Sequence, residues 1–219
     1  MNVLVIPDTH APFAHPNALD FLRDLKAEHR PNRVVHIGDL GDAHGWSRHD
    51  RHPDSPGQGD EDAECLAWCK QLYKLFPKVS ACVGNHDTRL IKQAQRAGIP
   101  SRLVASIRGQ YESPRGWEWK RFHVIDGTHF SHGDAKGGQY PAQNIARELG
   151  CSVAIGHHHA LAGVSWFRTP LKTFFAMSVG CLVDEDSLAF DYARASIRRS
   201  CLGAGVILDG EPRFIPLEK

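Results

Sequence analysis

Residues 34–42 read VVHIGDLGD, and this stretch decides the fold. Val34 to Ile37 is a short run closed by glycine, the pattern of a buried strand. Gly38-Asp39-Leu40-Gly41-Asp42 then turns the chain and leaves two carboxylates where that strand ends. Upstream, Val3 to Ile6 is a similar run stopped by Pro7, and downstream Val79 to Val83 is a third. Between the strands, residues 16–29 place Ala18, Phe21, Leu22 and Leu25 on one helical face behind Pro16. Residues 61–76 place Leu66, Cys69, Leu72 and Leu75 at helical spacing, with acidic residues crowding the first turn. A short helix is expected over 88–97. This βαβαβ alternation predicts parallel strands joined by right-handed crossovers.

The second half has a different rhythm. FHVID (122–126) and THFS (128–131) flank Gly127, a tight β connection. A helix over 141–149 leads to a strand over 152–155. Further strands, expected to be antiparallel, occupy 161–167, 172–179, 187–192, 204–209 and 212–216, with Asp209-Gly210 as a hairpin turn. Residues 41–60 and 98–121 match no element and read as loop insertions in a single domain spanning 1–219.

A chain of 219 residues can bury a core without disulfides. Its 26 basic and 25 acidic side chains nearly cancel, so bulk charge argues for neither a nucleic-acid nor a membrane partner. Nucleic acid remains possible through a local basic patch. No apolar run approaches the ~20 residues of a membrane span, and MNVLVIPDTH lacks the pattern of a secretory signal. The cysteines, at 65, 69, 82, 151, 181 and 201, form no repeated C-x-x-C pairs. Cys65 and Cys69 read as buried thiols, and the expected compartment is a reducing cytoplasm. The oligomeric state leaves no mark in the sequence.

The unusual count is 14 histidines. Asp8-Thr9-His10 follows the first strand, Gly38 to Asp42 the second, and Gly84-Asn85-His86-Asp87 the third. Ser131-His132-Gly133-Asp134 and Gly156-His157-His158-His159 close two later strands. Ligands of open α/β sheets gather at the carboxyl ends of strands, so five such ends would converge on one point. Oxygen donors and imidazoles without thiolate suit two divalent or trivalent transition ions, manganese first, with iron, zinc, nickel or cobalt as alternatives. Two such ions ~3.5–4 Å apart can share a carboxylate, activate a bridging water and clamp a phosphate.

The ordered set D-x-H, G-D-x-x-D, G-N-H-D, H-G and G-H-x-H, spanning residues 8 to 159, resembles the calcineurin-like metallophosphoesterase superfamily. The resemblance implies an α/β fold, a four-layer αββα sandwich of two mixed sheets. It implies that Asp8, His10 and His159 hold the first metal, that Asp39 bridges, and that Asn85, His132 and His157 hold the second. It further implies that His86 is the catalytic histidine, oriented by Asp87. A hydroxide bridging the metals would attack phosphorus while His86 assists the leaving group.

The chain departs from the superfamily's protein serine/threonine phosphatases. Those follow the second block with Asp-Arg-Gly and the Asn-His with Glu. Here the residues are Asp42-Ala43-His44 and Asp87, nearer the small phosphodiesterases and nuclease-related members. SVGCLVDED (178–186) resembles the C-terminal part of small phage-encoded members.

His44, Arg48, His49, Arg51 and His52 follow the bridging Asp39, and at least one is expected to meet substrate phosphate, His44 and Arg48 foremost. His158 is either substrate-facing or structural, and His36, inside a strand, is structural. In 98–121, Arg102, Arg108, Arg115, Lys120 and Arg121 interleave with Tyr111, Trp117 and Trp119, which fits a cap, a nucleic-acid contact or a dimer surface. The favoured reading is a phosphodiesterase or phosphomonoesterase acting on nucleotides or similar small esters. A DNA or RNA nuclease and a metal-bearing scaffold without turnover are the rivals. His86 argues against the scaffold.

Overall fold

The computed structural model describes residues 1–48, 54–187 and 197–218. The first half runs β1 (Val3–Ile6), α1 (Ala18–His29), β2 (Arg33–His36), α2 (Gln58–Leu75), β3 (Val79–Cys82), α3 (Arg89–Arg96), α4 (Ile107–Gln110) and β4 (Trp117–Lys120). The second half runs β5 (Phe122–Ile125), β6 (Thr128–Ser131), α5 (Pro141–Leu149), β7 (Ser152–Ile155), β8 (Ala162–Arg168), β9 (Thr173–Val179), β10 (Gly203–Leu208) and β11 (Glu211–Pro216).

One sheet has the order β11-β10-β1-β2-β3-β4 and the other β5-β6-β7-β9-β8. The two sheets bury a shared core in which Val3, Val5, Val35 and Ile207 of the first meet Phe130, Ala154, Phe175 and Met177 of the second. Alternation along β1 sends Leu4 and Ile6 to the opposite face. There they pack with Leu22 and Leu25 of α1 and with Cys69 and Leu72 of α2. On the outer face of the second sheet, Ala142, Ile145 and Ala146 of α5 cover Val153, Ile155 and Ala176. Helix, sheet, sheet and helix therefore stack as the expected αββα sandwich.

β1, β2 and β3 pair in parallel, as the crossover pattern demands. The antiparallel pairing expected of the strands from 161 onward holds for β8–β9 and β10–β11, but β9 also pairs with β7 in parallel. The 122–131 hairpin, β5–β6, is antiparallel, and β6–β7 is parallel. The reason is α5, which carries the chain back between β6 and β7 as a crossover. Asp126-Gly127 and Asp209-Gly210 are two-residue hairpin turns with positive φ at both positions (49° and 75°, 51° and 90°). The strand expected over 187–192 falls outside the described residues, apart from Ser187, which is in no strand.

Residues 98–121 are not the structureless loop expected. They hold a 3-10 turn at Ser101–Leu103, then α4, then β4, which extends the first sheet beside β3. Trp117 is fully buried and donates its indole N–H to the Phe76 carbonyl (2.8 Å). Tyr111 stacks on Trp119, and the Arg108 guanidinium donates to the Pro114 and Trp117 carbonyls (2.7 and 2.5 Å). Tyr111, Trp117, Trp119 and Arg108 are thus spent on internal packing, while Arg102, Arg115, Lys120 and Arg121 stay exposed.

All six cysteines are free thiols, with Cys65 and Cys69 buried under α2. Among the described residues no helix is long and apolar enough to cross a membrane.

Candidate metal centre

Because β1, β2 and β3 run parallel in one sheet and β6 and β7 in the other, their carboxyl ends lie at one edge of the sandwich. The residues just beyond those ends meet in a buried cluster. His159 Nε2 lies 3.2 Å from Asp8 Oδ2, and His10 Nε2 lies 3.8 Å from Asp39 Oδ2. On the other side, His132 Nε2 lies 3.1 Å from Asp39 Oδ2, 3.0 Å from Asn85 Oδ1 and 3.2 Å from His157 Nδ1. Three overlapping groups could each hold a cation: Asp8, His10 and His159; His10, Asp39 and His86; Asp39, His132 and His157. Asp39 belongs to groups on both sides.

The backbone is bent to make this possible. His10, Asp39 and His157 all have positive φ (48°, 50° and 64°), a conformation that costs a non-glycine residue and clusters at functional sites. Glycine is required at two neighbouring positions. A Cβ on Gly84 would collide with the Asp39 carboxylate, and one on Gly156 with the Asp8 carboxylate. The segment 181–184 braces the cluster from behind. Leu182 donates to the Asp8 carbonyl (2.8 Å), and Cys201 N–H holds the His159 carbonyl (2.7 Å).

The electrostatics ask for cations. Asp8 and Asp39 are buried, which by itself opposes ionisation, yet His132 and the other imidazoles hold both below the ordinary carboxylate range, Asp39 far below. Burial pulls His132 down, but the Asp39 and Asp8 carboxylates outweigh it and push its pKa up to about 10. Burial, and then the neighbouring His132, lower His157 to about 4. Asp8 Oδ1 and His132 Nδ1 are buried without a hydrogen-bond partner, 3.9 Å from each other. Such orphaned atoms are rare unless an ion satisfies them. Carboxylate, amide and imidazole donors without thiolate match divalent transition metals. Asp8, Asp39 and their imidazoles thus form a site suited to divalent metal.

His86 sits at the rim. Its Nδ1 donates to the Asp42 carbonyl (2.8 Å) and lies 3.1 Å from Asp42 Oδ1. Its Nε2 is 3.9 Å from Asp39 Oδ2 and 3.0 Å from the Arg89 guanidinium. Burial lowers its pKa, but Asp39 and Asp42 more than compensate, so the pKa lies above the ordinary histidine value.

One expectation needs correction. Asp87 does not touch His86. It accepts from the backbone N–H of Gly84 (2.7 Å), Asp39 (3.0 Å) and Leu40 (3.1 Å) and from Tyr111 Oη (2.9 Å), so it holds the Asp39 turn. Asp42 is the residue that orients His86. His44 is buried, with its ring against Phe13 and its Nδ1 3.6 Å from Asp42 Oδ2. His158 Nε2 donates to the Lys136 carbonyl (3.0 Å). His36 is structural as expected, fully buried, with Nδ1 accepting from Gly38 N–H (3.2 Å). Arg48 is exposed beside Asn85 and Arg89, whereas His49, Arg51 and His52 lie outside the described residues.

Sequence reading missed Arg89 and the Tyr111 contact with Asp87. Arg89 begins α3 three residues after His86, across the turn at 86–88, and that nearness in sequence was the available signal. The Tyr111 contact spans 24 residues and had no local signal.

Among curated proteins no sequence matches this chain. Two solved structures share its fold. The phosphoesterase Yfce of E. coli has 14% identity and a TM-score of 0.51 over 95% of this chain and 89% of its own. A metallophosphoesterase from Sphaerobacter thermophilus has 14% identity and a TM-score of 0.51 over 100% of this chain and 89% of its own. The family model for calcineurin-like phosphoesterases matches residues 1–173, well over half of the chain. With that match laid on this fold and this cluster of donors, the chain belongs to the calcineurin-like phosphoesterase family.

Proposed function

We propose that this protein hydrolyses phosphate esters of nucleotides or similar small molecules, with two metal ions bound. Asp8, His10 and His159 would hold one ion and Asn85, His132 and His157 the other, with Asp39 shared. Manganese is the first candidate. The observation that carries this reading is the convergence of these seven donors from five strand ends beside His86, which Asp42 and Arg89 hold in place.

When bound, the ions would activate a water and draw charge from the phosphate. The chain's own residues supply the remaining chemistry. His10 gives its Nδ1 proton to Asp42 (2.6 Å), which leaves the Nε2 lone pair aimed at the cluster. His86 Nδ1 donates to the Asp42 carbonyl and Nε2 accepts from Arg89 Nη2 (3.0 Å), so a transferable proton would sit on Nε2 only when Arg89 turns from it to the phosphate. The Asp39 and Asp42 carboxylates favour that second proton. Arg89 Nη2, 3.0 Å from Nε2, is placed to stabilise charge that develops on the phosphate oxygens.

The decisive test is a panel of mono-, di- and cyclic phosphoesters and single-stranded DNA, with Mn2+ added and with chelator. Hydrolysis restored by metal, and metal content approaching two ions per chain, is the expected result. Full activity in excess chelator with no bound metal would sink the reading.

A further inference from the structure

A pocket of about 170 Å³ opens directly beside the metal cluster, lined by Trp46, Ser47, Arg48, Asn85, Arg89, Lys92 and Arg96. Among the described residues its lining holds four cationic side chains and no carboxylate. The helix α3, RLIKQAQR, supplies three of them. Arg89, Lys92 and Arg96 are spaced i, i+3, i+7, which places them along one face of the helix. At ~1.5 Å of rise per residue, Arg96 stands about 10 Å along the axis from Arg89. Arg48, from the loop after the 3-10 turn at His44–Trp46, closes the opposite wall.

Only one of these charges is engaged at the metal cluster. Arg89 is tied to the Asp42 and Ala43 carbonyls and to His86. Among the described residues, Arg48, Lys92 and Arg96 have no acidic partner. Three uncompensated cations grouped in one concavity raise the local concentration of anions, and a solvated basic face would not need a shared pocket. The pocket joins the metal cluster through two residues. Asn85 lies 3.0 Å from His132, and Arg89 lies 3.0 Å from His86. An anion in the pocket therefore lies next to a phosphate held at the metals.

We infer that this pocket binds a second phosphate of the same substrate, so that the preferred substrates are nucleotide chains carrying a phosphate beside the one that is cleaved. The inference rests on the phosphoesterase reading of the adjacent site. Trp46, half-buried in the pocket wall, offers an aromatic surface for a base attached to that phosphate.

The test compares the dithymidylate diester with and without an added 5′-terminal phosphate, and with trithymidylate, whose extra group is a diester. In the wild type the added phosphate should raise kcat/KM about tenfold, mainly through KM, and less as salt increases. In Lys92→Gln/Arg96→Gln the ratio of the two kcat/KM values should fall toward one. An equal gain with trithymidylate would assign the pocket to chain phosphates, and a gain with the terminal phosphate alone to a dianionic end. No advantage in the wild type, or an advantage retained in the double variant, overturns the inference. Bis(p-nitrophenyl) phosphate reports on the metal centre by itself, and its failure to react would count against the phosphoesterase reading. In that event, binding of thymidine 3′,5′-bisphosphate against thymidine 5′-phosphate still reads the pocket by calorimetry. Tighter binding of the bisphosphate, lost in the double variant, supports the inference, and equal binding overturns it.

Discussion

His10 Nδ1 lies 2.6 Å from Asp42 Oδ1, and the same carboxylate lies 3.1 Å from His86 Nδ1. One buried side chain thus sets both His10, proposed to hold a metal ion, and His86, proposed to assist the leaving group. Partners of this kind are worth about 10–100-fold in metal affinity or activity. Asp42→Asn should therefore lower activity by roughly that factor, and excess Mn2+ should recover part of it. Asp39→Asn should cost more and stay inactive at saturating metal, because Asp39 reaches both halves of the cluster. Titrating Mn2+ against activity in both variants distinguishes them, and equal, unrecoverable losses would contradict the assignment.

His86→Ala should keep the fold and the metals yet lose about 10²–10⁴-fold in kcat, the usual worth of general acid catalysis. The loss should be larger for an alkyl ester than for a nitrophenyl ester, whose leaving group departs unprotonated. Metal content, Tm and kcat on both substrates are the measurements. Wild-type kcat on the alkyl ester would remove His86 from the mechanism.

The pKa of His132, raised to about 10 in the metal-free fold, makes a pH prediction. A histidine whose folded pKa is raised contributes stability that is complete below its unfolded value near 6.5 and is lost as pH rises through about 10. Metal-free protein should thus lose stability between about pH 7 and 10, and His132→Asn should flatten that slope. Metal must also displace this proton, because only neutral imidazole binds it. Calorimetric titration with Mn2+ in buffers of different ionisation enthalpy, near pH 8, should show proton release that shrinks in His132→Asn. A metal-free protein whose Tm rises over this range would refute the assignment.

Asp87 gathers three backbone N–H groups and the Tyr111 hydroxyl. Asp87→Ala strands these buried donors at about 1–3 kcal/mol each, so its melting temperature should drop steeply. Tyr111→Phe removes one of four donors and should cost about 1 kcal/mol. Denaturant unfolding measures both. If Tyr111→Phe proves as damaging as Asp87→Ala, Asp87 does not hold the turn together.

Strand identity and the candidate cluster were legible because both are local. Three apolar runs, each ended by a short motif such as Asp8-Thr9-His10, put their donors at strand ends wherever the sheet is assembled. β4 was hidden because the Trp117 and Trp119 run is flanked by basic residues that suggest a surface. Burial of Trp117 under Phe76 depends on packing across 41 residues of chain. The parallel pairing of β6 with β7 depended on where α5 docked.

By itself the sequence determined the βαβαβ alternation of the first half, the motifs at five strand ends and the residue types able to hold cations, while the αββα layering was implied by the family resemblance. Tertiary structure alone decided which carboxylate serves which imidazole. Sequence adjacency pairs His86 with Asp87, but the left-handed backbone at Asp39 (φ 50°) folds the turn back. Asp87 is then spent on the N–H groups of that turn, and Asp42 is brought under His10 and His86. Hydrogen-bond partners separated by more than 30 residues leave no periodic trace, because they are chosen by the packing of loops rather than by propensity within a strand or helix.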